Sequence, residues 1–119
     1  MYQEMAPKET PYSDADITAR LGTLPGWRYE DKAIRRVYET DGWPVTLMLV
    51  NALGFAAEAA DHHPDLAVSY RRVGVALSTH SAGGITGKDF ELARKFDEIA
   101  LWRPPAGGAL TGTTEKFVR

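Results

Sequence analysis

The chain has 119 residues and no cysteine, with 14 Lys+Arg against 16 Asp+Glu for a formal net charge of −2. Disulfides, thiol nucleophiles and Cys-based zinc sites are therefore excluded, and there is no basic excess to neutralise a run of phosphates, which argues against a nucleic-acid role. The length suits a single core of roughly 100–150 residues. The longest uncharged apolar stretch, residues 43–57, is shorter than the ~20 residues of a membrane helix, and the first thirty residues lack the pattern of a signal peptide. The expectation is a cytoplasmic domain with no membrane partner.

Residues 1–12, with Pro7 and Pro11, carry no periodicity and read as a loose lead-in. Ser13 reads as an N-cap, with Asp14 and Asp16 in the first turn and Ile17, Leu21 and Leu24 at helical spacing up to Pro25-Gly26. Two extended runs follow, Trp27 to Tyr29 and Ala33 to Thr40, joined by the polar turn Glu30-Asp31-Lys32. Pro44 suits a first helical position, and the helix it opens runs to about Ala60. Leu47, Met48, Leu49 and Val50 cover every side of that helix, so one face is expected on a sheet and another against a second subunit.

Pro64 breaks the helix, and Leu66 to Tyr70 and Val73 to Ser78 read as strands turning at Arg71-Arg72. Thr86 with Asp89 three residues on resembles a capping box. The helix it starts carries Leu92, Phe96 and Ile99 on its apolar face, with Glu91–Lys95 and Arg94–Glu98 as i,i+4 pairs, and closes before Pro104-Pro105. The Gly/Thr-rich residues 103–119 form a tail. The order α-β-β-α-β-β-α implies an α+β fold in which helices cover one face of a four-stranded antiparallel sheet. The domain is expected over residues 13–102.

All three histidines, His62, His63 and His80, lie within nineteen positions, among Glu58, Asp61, Asp65 and Asp89. Imidazole suits proton transfer near neutral pH. On a regular helix His62 and His63 would point about 100° apart, but Pro64 forces the chain out of the helix there. His80 follows a strand that pairs with the strand after Pro64, and Asp89 sits in the first turn of the last helix, so the groups are expected to converge at one rim of the sheet. Taken singly, each has a plainer role: His62-His63 as a helix C-terminus, His80 as a loop residue, Asp89 as a cap, Glu58 with His62 as a solvated pair. The joint pattern favours a site. A metal centre is disfavoured because no His pair has i,i+4 spacing, and no G-x-S-x-G, G-x-G-x-x-G or P-loop occurs.

The segment from Glu58 to Asp89 resembles the pterin-4a-carbinolamine dehydratases. The family pattern is an acidic residue, three positions, His-His-Pro, then an aromatic, a His and an Asp at set intervals. Glu58, His62, His63, Pro64, Tyr70, His80 and Asp89 meet it at every spacing. The likeness extends over about residues 13–101, including Leu24 to Trp27; Leu66-Ala67 and Gly74 depart from better-known members. The resemblance implies the same α+β fold and a homodimer or homotetramer. It implies catalysis by His62, His63 and His80, and pterin contacts from His62, His63, Pro64, Thr79, His80, Ser81, Ala82 and Asp89, with Glu58 and Asp61 supporting. The reaction it implies is dehydration of 4a-hydroxytetrahydrobiopterin, which needs no metal and no cofactor because elimination changes no oxidation state. Relatives that serve as binding or assembly cofactors supply the alternative, a non-catalytic role on the same fold.

Overall fold

The computed structural model describes residues 9–119; the rest of the expected lead-in lies outside the described residues. The elements are α1 (Asp14–Leu21), β1 (Arg28–Glu30), β2 (Ala33–Glu39), α2 (Trp43–Ala60), β3 (Asp65–Ser69), β4 (Arg72–Leu77) and α3 (Gly87–Ala100), with short 3₁₀ turns at His80–Ala82 and Thr114–Lys116. The strands form one antiparallel sheet in the order β1-β2-β4-β3, as the alternation of hairpins and helices predicts.

Ser13 caps α1 by accepting the Asp16 N–H, but the helix stops at Leu21. Leu24, expected on its last turn, instead lies buried in the loop that leads to β1. The β3–β4 hairpin turns at Tyr70-Arg71, one residue earlier than expected. The β1–β2 hairpin closes through two residues only, Asp31 and Lys32, between the paired Glu30 and Ala33. Both have positive φ, 51° and 62°, as a type I′ turn requires. A non-glycine residue held there costs about 1–2 kcal/mol.

One face of the sheet, carrying Ile34, Tyr38, Val73, Val75 and Leu77, packs with Leu49, Leu53 and Ala57 of α2 and Phe90, Leu92, Ala93 and Phe96 of α3 into the core. The strict alternation of β4, with Val73, Val75 and Leu77 buried, shows how period two sorts that strand between the helical layer and the open face. On α3, Lys95 bonds Glu98 at 2.9 Å in place of the expected pairing with Glu91. The 18 residues of α2 have a mean hydropathy of 1.3, so the helix is longer than the apolar stretch read from sequence and reaches the length and composition of a membrane-crossing one. Its Thr46, Leu49, Leu53 and Ala57 face is that of a core helix. The other side leaves Met48 at 64% and Phe55 at 79% exposure, the unpartnered apolar surface that the absence of a stripe foreshadows.

Residues 103–119 return to the sheet. Glu39 and Arg119 exchange backbone hydrogen bonds of 2.7 and 2.8 Å, and Val118 is buried in the core. Arg103 pairs with Glu115, closing the excursion.

A polar knot holds the loop before β1, strand β2 and α3 together. Asp97 accepts from Trp27 Nε1 at 3.1 Å and from the Tyr38 hydroxyl at 2.5 Å, with the Arg36 guanidinium 3.6 Å away. Burial, reinforced by the bond to Asp97, pushes the Tyr38 phenol well above its ordinary value of 10.0. The unfolded chain loses this proton above pH about 10 while the folded chain keeps it, so the stability it contributes is present below that pH and is lost as pH rises. Tyr38→Phe is expected to lower stability at neutral pH by about 1–2 kcal/mol. It should also flatten the alkaline decline, as read from urea titrations between pH 7 and 11. An unchanged alkaline slope would contradict this account.

Candidate active site

Helix α2 ends because Asp61 takes the left-handed conformation (φ 52°) and its N–H turns back to Ala57 and Glu58. The His62 N–H also reaches the Ala57 carbonyl, at 3.1 Å. This αL termination stops the helix three residues before Pro64, and Pro64 then keeps the chain extended into β3. Asp61 therefore shapes the site through its backbone.

His62 turns into the helical layer: its Nε2–H donates to Asp89 Oδ1 at 2.6 Å. Asp89, at 0% exposure, also accepts through Oδ2 from the Thr79 hydroxyl at 2.7 Å and from the Thr86 N–H at 2.9 Å. The Thr86 hydroxyl lies 2.8 Å from that of Thr79. Since Thr79 gives its proton to Asp89, the proton shared between the two hydroxyls comes from Thr86. One carboxylate thus completes the capping box of α3, orients the His62 imidazole with Nδ1 left free, and ties the end of α2 to the residue just before His80.

His63 does not join this network. Its side chain is exposed and bonds Glu58 at 2.8 Å, so Glu58 partners His63 in place of the expected His62. The open face of the sheet, away from the helices, carries Arg35, Ala76 and Asp65 side by side at this end. His80, exposed at the start of its 3₁₀ turn, lines a hollow of about 350 Å³ on that side together with Ser78, Thr79 and Asp65. Ser81 is exposed and Ala82 half-buried in the same turn, and Pro64 is half-buried between the two histidines and β3.

The expectation of three imidazoles lining one hollow takes a different form in the structure. His62 lines a larger hollow of about 650 Å³ between α2 and α3, beside Phe55, Lys88 and Glu91; His80 lines the one on the open face. His62 follows the end of α2 and bonds into the first turn of α3, whereas His80 starts the 3₁₀ turn after β4, so the two rings face different hollows. What joins the two sides is the His62–Asp89–Thr79 chain. Thr86 is the member of this network that sequence reasoning read as a cap only; its spacing of seven from Thr79 carries no signal by itself. Among the described residues no group of three or more His, Asp or Glu side chains is arranged to hold a metal ion.

The profile of the family described as pterin 4 alpha carbinolamine dehydratase matches residues 10–99. The chain belongs to that family. Among provisionally named pterin-4-alpha-carbinolamine dehydratases, that of Roseiflexus castenholzii is 47% identical over 87 residues, covering 73% of this chain and 94% of the relative. That of Aquifex aeolicus is 42% identical over 87 residues, covering 73% and 88%. A crystal structure from Brucella melitensis, described as a transcriptional coactivator/pterin dehydratase, superposes with a TM-score of 0.73 at 32% identity, over 76% of this chain and 99% of its own. The family match spans the elements from α1 to all but the last residue of α3 and every candidate residue from Glu58 to Asp89. The tail after residue 102 falls beyond it.

Proposed function

We propose that this chain is a hydro-lyase that dehydrates 4a-hydroxytetrahydropterins to quinonoid dihydropterin and water, in the recycling of tetrahydrobiopterin, by histidine general acid–base catalysis. The observation that carries the reading is the buried link from His62 through Asp89 to Thr79, which joins the His62-His63 segment to the loop bearing His80. Such an anchor orients one ring, while the exposed His80 and the exposed His63, paired with Glu58, stand where protons can be exchanged with a ligand and with water.

In this reading the pterin lies at the open-face end of the site, against Pro64 and residues 79–82. The hollow there holds His80 among polar groups, Asp65, Ser78 and Thr79, whereas the larger one between α2 and α3 holds His62, whose Nε2 is already bonded to Asp89. His63 or His80 donates a proton to the 4a-hydroxyl as the C4a–O bond breaks, and the electron pair of an adjacent ring nitrogen forms the new C=N bond. A ring N–H proton passes to the second imidazole. His62, with Nε2–H held by Asp89, supports catalysis from the helical side by fixing Thr79, the residue just before His80. Electrons balance without a redox partner, and catalysis of this kind contributes about 10²–10⁴-fold.

The test is absorbance-monitored dehydration of freshly made 4a-hydroxytetrahydropterin. Protein at micromolar concentration is expected to accelerate it well above the spontaneous rate, and the His62→Ala/His80→Ala double variant to abolish the acceleration. Equal rates with and without wild-type protein would overturn the reading.

The exposed apolar face of α2 supports a homodimer or homotetramer closed through that helix. Phe55→Glu is expected to halve the mass measured by light scattering at micromolar concentration, and a monomeric wild-type mass would refute this. The same face also favours the second reading, a binding or assembly cofactor; stoichiometric capture of a defined partner without turnover would give that role precedence.

A further inference from the structure

Granted the dehydratase reading, the geometry points to the Asp31–Lys32 turn as a specificity-determining element that recognises hydroxyl groups on the side chain of the pterin. The starting observation is a mismatch between this turn and its chemistry. A two-residue hairpin with both φ values positive is served best by Asn-Gly, yet this one holds an aspartate and a lysine at 51° and 62°. Strained positions of this kind cluster where a side chain is needed for binding. Here the side chains stand at the hollow that contains His80, whose wall also includes Arg35, Asp65 and Ser78. The pairing of Arg35 with Ala76, and of Ala76 with Asp65, explains the layout. A small residue floors the middle of the row while a guanidinium and a carboxylate rise on either side.

The charges are unpaired. Among the described residues, neither Asp31, Lys32 nor Asp65 makes a side-chain hydrogen bond or ion pair, and Arg35 spends only its Nε, on the Glu30 carbonyl at 2.9 Å. Two cations that can only donate and two carboxylates that accept sum to zero formal charge. That combination suits neighbouring hydroxyls, each of which donates one hydrogen bond and accepts others. It does not suit a phosphorylated or carboxylated side chain, which would call for a cationic excess. The flat ring would then lie toward His80, and its hydroxylated substituent would reach the turn.

The experiment compares 4a-hydroxytetrahydropterins bearing a 6-methyl or a 6-dihydroxypropyl group, in the wild type and in Asp31→Asn/Lys32→Gly. This double variant carries the preferred type I′ pair, so the hairpin is expected to hold, with a melting temperature equal to or above that of the wild type. The wild type is expected to show a KM roughly tenfold lower for the dihydroxypropyl substrate, and the variant to lose most of that preference. A preference retained in the variant, a KM raised equally for both substrates, or a stronger preference for a phosphorylated side chain would each overturn the inference while leaving the dehydratase reading intact. Absence of dehydration by the wild type with either substrate would remove both.

Discussion

Asp89→Asn is expected to be the most damaging single substitution near the site, costing about 3 kcal/mol of stability and lowering the melting temperature by roughly 10 °C. The reason lies in donor counting. Three donors converge on the two oxygens of this fully buried carboxylate: the His62 Nε2–H, the Thr79 hydroxyl and the Thr86 N–H. An amide keeps the shape but offers one oxygen, so its NH₂ must face either His62 or the Thr79/Thr86 pair. In the first case the imidazole has to change tautomer to accept; in the second, a buried N–H meets another N–H and the capping box of α3 is lost. Differential scanning calorimetry together with the dehydration assay would check this. A variant that melts within a degree or two of wild type would show that the network carries little of the stability assigned to it. Turnover is expected to fall by one to two orders of magnitude even below the melting transition, because the orientation of His62 depends on the same carboxylate.

His80→Ala should show the opposite profile. The residue is exposed and no side-chain hydrogen bond holds it among the described residues, so stability is expected to stay within about 0.5 kcal/mol of wild type. If its imidazole is one of the two groups that move protons, kcat should drop about 10²–10⁴-fold. Because a missing general base or acid can be replaced from solution, added imidazole is expected to restore part of the rate. Activity within twofold of wild type would remove His80 from the chemistry and leave His63 as the exposed candidate.

Much of the fold was legible before any coordinates. Hydrophobic periodicity and turn residues placed all seven elements, because Val73, Val75 and Leu77 alternate and Ile17, Leu92 and Phe96 recur at helical spacing. The boundaries that slipped did so where backbone conformation decides them. The stop of α2 was credited to Pro64, whereas the left-handed Asp61 ends it, and an aspartate carries no more than a weak tendency toward that conformation. The turn at Glu30-Asp31-Lys32 is legible, but its closure through Asp31 and Lys32 alone, both left-handed, is not, because it lacks the glycine that usually announces such a turn. At the site, Thr86–Asp89 could be read as a cap from local spacing. That the carboxylate also reaches Thr79 and His62 could not, since those contacts span 10 and 27 residues and exist only once α3 is packed on the sheet. That His62 and His80 face different hollows is not legible either, since it depends on how α3 packs against the end of α2.

The double duty of Asp89 has a bearing on how descent within such a family can be interpreted. A lineage released from the need for turnover could discard His80 at almost no folding cost, while losing Asp89 would imperil the whole molecule. Persistence of the aspartate in a distant cousin is therefore poor testimony of enzymatic competence, and the imidazole, which the architecture does not require, is the better witness.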